Sequence, residues 1–315
     1  MSARAQRYLV GELNEDHPMR APEFEASLHD AALYPQAWRI VLGVLLTLFI
    51  WMGGTALILA AATGVVAAQQ GAFGILPFLN SLAAPDTPVK VILLLSTFAG
   101  LAIGAVVSAG ALHFRGPGSL LGPWPEWLRG FATALAVLVP AYAALTLVAF
   151  AVDPPVPNVD LARWALWLPL AVPFLFLQIA AEELFFRGYL QQQLAVRYAS
   201  RVVWMWIPSV VFAALHVSPQ AGDNLPLVLL AAFTFALIAA DLTERTGSLG
   251  AAMGLHFGNN FFGIFITSAS GSITGLALYL SETDMSAAGP QSFGLSLTVI
   301  LLLAVWRVTA WLLER

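Results

Sequence analysis

A chain of 315 residues that is 59% hydrophobic and only 10% charged, with a mean hydropathy of +0.80, is too apolar for a soluble domain, whose charged fraction is nearer a quarter. A formal charge of −4 and arginines scattered rather than clustered exclude nucleic acid as a partner. The absence of cysteine excludes disulfides, thiolate metal sites and a cysteine nucleophile. What remains is an all-α, polytopic integral membrane bundle whose first partner is the lipid bilayer and whose chemistry must use oxygen or nitrogen.

Residues 1–39 are polar and mildly acidic, without the short apolar core of a secretory signal. They are expected to form a cytosolic tail of short amphipathic or disordered segments, with His17 and His29 solvated. The membrane domain then runs over 40–315. Its apolar runs fall at 40–68, 91–113, 131–152, 164–190, 202–217, 225–240, 249–267 and 293–313. Most reach the roughly 17 to 25 residues a crossing helix needs, so about eight spans are expected, the fifth and sixth being marginal. The short run 273–280 cannot cross and is expected to be interfacial or re-entrant.

Turn chemistry rich in proline and glycine separates the runs at 84–88, 116–125, 153–157, 219–226 and 282–290. Arg4, Arg7, Arg20, Arg39, Arg115, Arg129, Arg197, Arg201, Arg245, Arg307 and Arg315 all fall on one side of the predicted bundle, against Lys90 and Arg163 on the other. The positive-inside rule then puts both termini in the cytosol. Arginine replaces lysine almost throughout and alanine is abundant, which points to a GC-rich bacterial genome and hence to a bacterial inner membrane. No internal repeat is visible, so a repeat-built transporter gains no support.

One stretch, AEELFFRGYL at 181–190, breaks the apolar pattern with three charges. Each charge left bare at mid-membrane costs roughly 2.5 to 3.5 kcal/mol on insertion scales, so Glu182, Glu183 and Arg187 must face partners. On a helix Glu183 and Arg187 are i,i+4 and share a face, while Glu182 is turned about 100° away. One carboxylate is thus neutralised locally and the other left free. His216 ends the fifth run, one turn after Phe212. His256 and Asn260, again i,i+4, present an imidazole and a carboxamide on one face of the seventh, beside Asn259, and Gly254 and Gly258 thin that helix for a close neighbour or an extended substrate. His113 is expected at the membrane interface, and Asp241, Glu244 and Arg245 in a solvated turn.

EExxxR at Glu182, Glu183 and Arg187, FxxxH at Phe212 and His216, and HxxxN at His256 and Asn260, in this order and on separate runs, resemble the motifs of the CPBP family of intramembrane proteases. That family, also called ABI or CaaX-protease-like, includes the eukaryotic endoprotease that trims prenylated CaaX proteins. The resemblance implies a protease domain over 40–315 with its motif core at 162–267, and a membrane-associated protein or peptide as substrate. It further implies Glu182 as the base that activates water, His216 orienting that water, and His256 with Asn260 as the oxyanion hole. Glu183, Arg187 and Phe212 would support them.

Cofactors are expected to be none, because HExxH spacing is absent and asparagine is an unusual zinc ligand. Zinc held by His216, His256 and Glu182 stays as the alternative. Two other functions also stay open. A non-catalytic immunity or partner-binding protein would use the polar cluster only for packing, and a proton-coupled transporter would use it as a relay. A third point concerns depth: counted from residue 164, Glu182 lies too near the cytosolic face to meet His216, and Pro169 and Pro173 suggest that 161–170 is a separate outer piece.

Overall fold

Backbone amides inside lipid have no partner except their own chain's carbonyls, so uncharged runs of this length close into helices. A computed structural model, which describes residues 20–282, 286 and 289–315, is built from eight principal helices. They are α1 (Ala37–Gln70), α2 (Pro88–His113), α3 (Trp124–Val152), α4 (Leu161–Arg197), α5 (Val202–Ala214), α6 (Leu225–Thr246), α7 (Gly250–Phe261) and α8 (Pro290–Leu313). Local chemistry sets several ends. The Asp160 side chain accepts from Arg163 N at the start of α4, and Thr87 does the same for Lys90 N ahead of Pro88 in α2. Gly247 closes α6 in the left-handed region, at φ 61°, where a Cβ would also strike the Glu23 carbonyl.

Among the described residues, six helical stretches are long and apolar enough to cross a membrane: α1 to α4, the Pro219–Thr246 run that contains α6, and α8. The expected fifth and seventh spans are shorter. α5 has 13 residues, and α7 needs a π-helical extension, Phe262–Ile266, to reach about 25 Å. α7 can be short because it lies inside the bundle, in contact with α3, α4 and α6. Its first seven residues are all buried, and irregular backbone at membrane depth is tolerated where protein surrounds it. The outer helices instead turn large apolar side chains outward, as Phe49, Met52 and Leu57 do on α1.

Close approach rather than apolar bulk drives the packing of α7. Gly250, Gly254 and Gly258 lie one turn apart and face α3, where a Cβ on Gly254 would stand 2.6 Å from the Phe131 carbonyl oxygen. The thinness expected of this helix therefore serves a neighbour. α1 and α2 use the same device, with Gly100 and Gly104 against the Trp51 and Thr47 backbones.

The short run 273–280 does not cross the bundle, although Leu276 is fully buried and joins its apolar core beside Val91 and Leu175. It feeds β3 (Tyr279–Ser281), which pairs antiparallel with β1 (Val156–Pro157) and parallel with β2 (Thr267–Ala269), forming a small sheet over the end where α3 stops and α4 starts. At the opposite end, the described part of the N-terminal segment forms two short helices, Pro22–Ser27 and His29–Ala32. Phe24 and Leu28 are fully buried there, and Arg20 donates to the Ala195 and Tyr198 carbonyls at 2.6 and 2.9 Å. His29 is exposed beside Asp30, while His17, Arg4 and Arg7 lie outside the described residues.

Two polar expectations change in the folded chain. His113 is fully buried rather than interfacial, with Nδ1 2.9 Å from the Tyr34 carbonyl and Nε2 2.9 Å from the Tyr189 hydroxyl. Asp241, Glu244 and Arg245 do not form a solvated turn, because α6 runs on past them to Thr246. Glu244 is buried against Arg201, and Asp241 accepts from the Trp306 indole at 2.7 Å. Tertiary partners supplied by other helices stabilise these groups, and no sequence window contains them.

Candidate active site

α4 carries the two carboxylates on one unbroken helix. Pro169 and Pro173 both lie inside Leu161–Glu183, so the expected separate outer piece at 161–170 is not formed. The depth problem disappears for another reason: the helix does not end at 190 but continues through a π-helical stretch, Leu184–Gln191, to Arg197. Measured from the tight α4–α5 connection, Glu182 lies fifteen residues before Arg197 and His216 fifteen after Arg201, so each stands about 22 Å deep at 1.5 Å per residue. The ring pair Phe186–Phe212, with centroids 5.2 Å apart, pins this hairpin register one turn away.

The two carboxylates have different surroundings. Glu183 is fully buried, and its Oε1 accepts from Arg187 Nη1 at 3.0 Å and from His256 Nδ1 at 2.7 Å. Because a carboxylate can only accept, the His256 Nδ1 carries a proton. Arg187 spends a second donor on the Ala236 carbonyl at 3.1 Å and lies 4.8 Å from the Phe212 ring centre, a desolvated cation–π contact. Glu182 retains 14% side-chain exposure. Its Oε2 lies 3.6 Å from His256 Nε2, and its Oε1 accepts from Gln178 Nε2 at 2.9 Å. One imidazole is thus bracketed by both carboxylates, while the arginine bonds to only one of them.

His256 is flanked by two aromatic rings in T-shaped contacts, Phe235 at 4.8 Å and Phe212 at 6.1 Å between centroids. Asn260, one turn further along α7, gives its Nδ2 to Gln178 Oε1 at 2.9 Å. His216 sits against Phe212, ring centroids 4.9 Å apart, with Nδ1 donating to the Phe212 carbonyl at 2.9 Å. In the neutral ring that bond leaves Nε2 as the acceptor. His216, His256, Asn259 and Asn260 all line one cavity of about 170 Å³, walled by Phe212, Phe235 and apolar side chains of α6 and α8. A space of that size is ample for several waters.

Of the residues singled out in the sequence, Glu182, Glu183, Arg187, Phe212, His256 and Asn260 are joined by the contacts above, and His216 packs on Phe212 and lines one cavity with His256 and Asn260. Three participants carried too little signal. Gln178 is an intramembrane amide at i−4 from Glu182, a spacing that marks a shared face. Asn259 was visible only as a polar neighbour. Tyr142, whose hydroxyl donates to Asn259 Oδ1 at 2.8 Å, looks in sequence like any tyrosine in an apolar run. For the zinc alternative, no group of three or more His, Asp or Glu side chains among the described residues is arranged to hold a metal ion, and His256 meets glutamate on both nitrogens.

Fold and site together define an integral membrane protein whose charged and hydrogen-bonding groups converge from α4, α5 and α7 inside a helical bundle. Residues 163–262 match the family model described as type II CAAX prenyl endopeptidase Rce1-like, a match that spans all three motifs. It is also similar to "Uncharacterized protein YyaK" of Bacillus subtilis (strain 168), at 24% identity over 189 residues. That alignment covers 58% of this chain and 62% of the relative, less than two thirds of the relative's length. No solved structure matches the chain.

Proposed function

We propose that the protein is an intramembrane endopeptidase that cleaves a membrane-associated, CaaX-like protein or peptide with water activated by Glu182. The observation that carries this reading is the split between the carboxylates: Glu183 is fully committed to Arg187 and His256, and Glu182 is left partly exposed against His256, which itself lines a cavity large enough for several waters. A purely structural ion-pair cluster would need neither the second carboxylate nor the cavity. In the reaction, Glu182 takes a proton from water as the oxygen attacks the scissile carbonyl carbon. The His216 Nε2 lone pair accepts the water's other hydrogen and orients it. Asn260 Nδ2–H and His256 Nε2–H donate to the oxyanion, the latter when both ring nitrogens are protonated. Collapse of the tetrahedral intermediate breaks the C–N bond, and Glu182 returns its proton to the leaving amine.

No metal is assigned a step, since no group of three or more His, Asp or Glu side chains among the described residues is arranged to hold one. The charge bias of the loops supports both termini in the cytosol, and the arginine- and alanine-rich composition supports a bacterial inner membrane.

The test uses purified protein in detergent with an internally quenched, farnesylated peptide ending in a CaaX sequence, the same peptide unprenylated, and an unrelated membrane-spanning peptide. Wild-type protein is expected to cleave at least one, and Glu182→Gln to cleave none while unfolding at the same temperature as wild type, because an amide cannot take the proton from water. Turnover by Glu182→Gln at the wild-type rate refutes the assignment of the base. Wild-type protein no faster than Glu182→Gln on all three refutes the protease in favour of a non-catalytic role.

A further inference from the structure

Beside the cavity, five side chains are joined by four hydrogen bonds that run in one direction. The Tyr142 hydroxyl donates to Asn259 Oδ1 at 2.8 Å, Asn259 Nδ2 to Asn260 Oδ1 at 3.0 Å, Asn260 Nδ2 to Gln178 Oε1 at 2.9 Å, and Gln178 Nε2 to Glu182 Oε1 at 2.9 Å. Tyr142 comes from α3, the two asparagines from α7, and Gln178 and Glu182 from α4. Tyr142 and Gln178 are 8% and 6% exposed, so water does not substitute freely for either.

The direction follows from the end that has no choice. A carboxylate has no proton to give, so Gln178 must turn its NH2 group to Glu182, and only its oxygen remains for Asn260. Asn260 must then offer NH2 to Gln178 and oxygen to Asn259, and Asn259 in turn offers its oxygen to Tyr142, whose hydroxyl is free to donate. One carboxylate thereby dictates the orientation of three amides. The consequence for the site falls on Asn260, which lines the cavity. One of its two N–H bonds is spent on Gln178, and the other is kept on the same nitrogen for a ligand. Without Gln178 the carboxamide can turn over and present its oxygen, an acceptor that repels a developing oxyanion instead of binding it.

We propose that Gln178 is a positioning residue that locks the Asn260 carboxamide in its donor orientation toward the reacting carbonyl, with Tyr142 anchoring the far end of the chain. This rests on the peptidase reading above, and the experiment separates the two. The variant is Gln178→Met, which keeps length and apolar volume and removes both hydrogen bonds. With the quenched farnesylated peptide, kcat is expected to fall about 10-fold, less than the ~10²–10³ lost when an oxyanion donor is removed outright, and KM to stay within about twofold. In an Asn260→Ala background the same change should alter kcat by less than about twofold, since its target is gone. Tyr142→Phe should lower kcat in the same direction, by about 3-fold, and should also be silent in Asn260→Ala.

A second measurement needs no substrate. The chain has six asparagines, so selective 15N-asparagine labelling gives few side-chain amide signals, and Asn260→Ala identifies the relevant pair. Gln178→Met should move one of the two Asn260 Nδ2 protons upfield, as a hydrogen bond is lost. Equal kcat losses from Gln178→Met in both backgrounds, or unchanged Asn260 signals, overturn the positioning role. If Glu182→Gln is inactive while Gln178→Met keeps wild-type kcat and signals, this inference alone fails. If Glu182→Gln still cleaves, the peptidase mechanism fails, and the amide signals still decide whether Gln178 orients Asn260.

Discussion

Glu183→Gln should cost folding stability, and the structure sets the size. Arg187 is 2% exposed and pairs with a fully buried Glu183 at 3.0 Å. Removing one partner of such a buried pair leaves an uncompensated charge and typically costs about 3–5 kcal/mol. Two contacts survive the change, the Ala236 carbonyl at 3.1 Å and the Phe212 ring at 4.8 Å. A desolvated cation–π contact of that kind is worth up to ~2 kcal/mol, so the lower end, about 3 kcal/mol, is expected. The glutamine also cannot serve both Arg187 and His256 with the charge they require, so His256 loses its orientation and activity falls with stability. Arg187→Gln in the same chain removes the orphaned cation. The double variant should therefore be more stable than Glu183→Gln alone, with a coupling of about 2 kcal/mol in a double-mutant cycle. The assay is denaturant unfolding of all four proteins in detergent, alongside Glu182→Gln. If Glu183→Gln is as stable as wild type while Glu182→Gln is destabilised, the roles of the two glutamates are reversed. If the double variant is no better than additive, the pair does not hold the site together.

Exhaustive chelation should leave cleavage intact and elemental analysis should find no stoichiometric zinc; activity lost on chelation and restored only by zinc would make His216 and His256 ligands. Reporter fusions placed in 219–226 should read as external and fusions at either terminus as cytosolic, and a cytosolic signal from 219–226 would reverse the orientation. Gly254→Ala should destabilise the protein by about 1–3 kcal/mol through overpacking, because the added Cβ meets the Phe131 backbone at 2.6 Å. Since α7 carries His256 and Asn260, cleavage should fall as well. Unchanged stability in Gly254→Ala would show that α3 and α7 can separate without cost.

The amino-acid sequence by itself determined the membrane class, the helical architecture and the three chemical stretches. Hydropathy and the cost of bare intramembrane charge are local properties that a window of twenty residues contains. The i,i+4 pairing of Glu183 with Arg187 was equally local and is present at 3.0 Å. Depth was not: where α4 ends depends on Gln191, Gln192 and Gln193 being buried by neighbouring segments, so a polar stretch that reads as a loop continues the helix to Arg197. The same limit hid how short α7 is, a length tolerated because other helices surround it, whereas the fifth run was already marginal by its length. Above all, only the tertiary structure decided that Glu183 serves His256 as well as Arg187, and that Gln178 ties Asn260 to Glu182. Those bonds join residues 73 and 82 positions apart, and a hydrogen bond between helices depends on packing that no single-helix periodicity encodes.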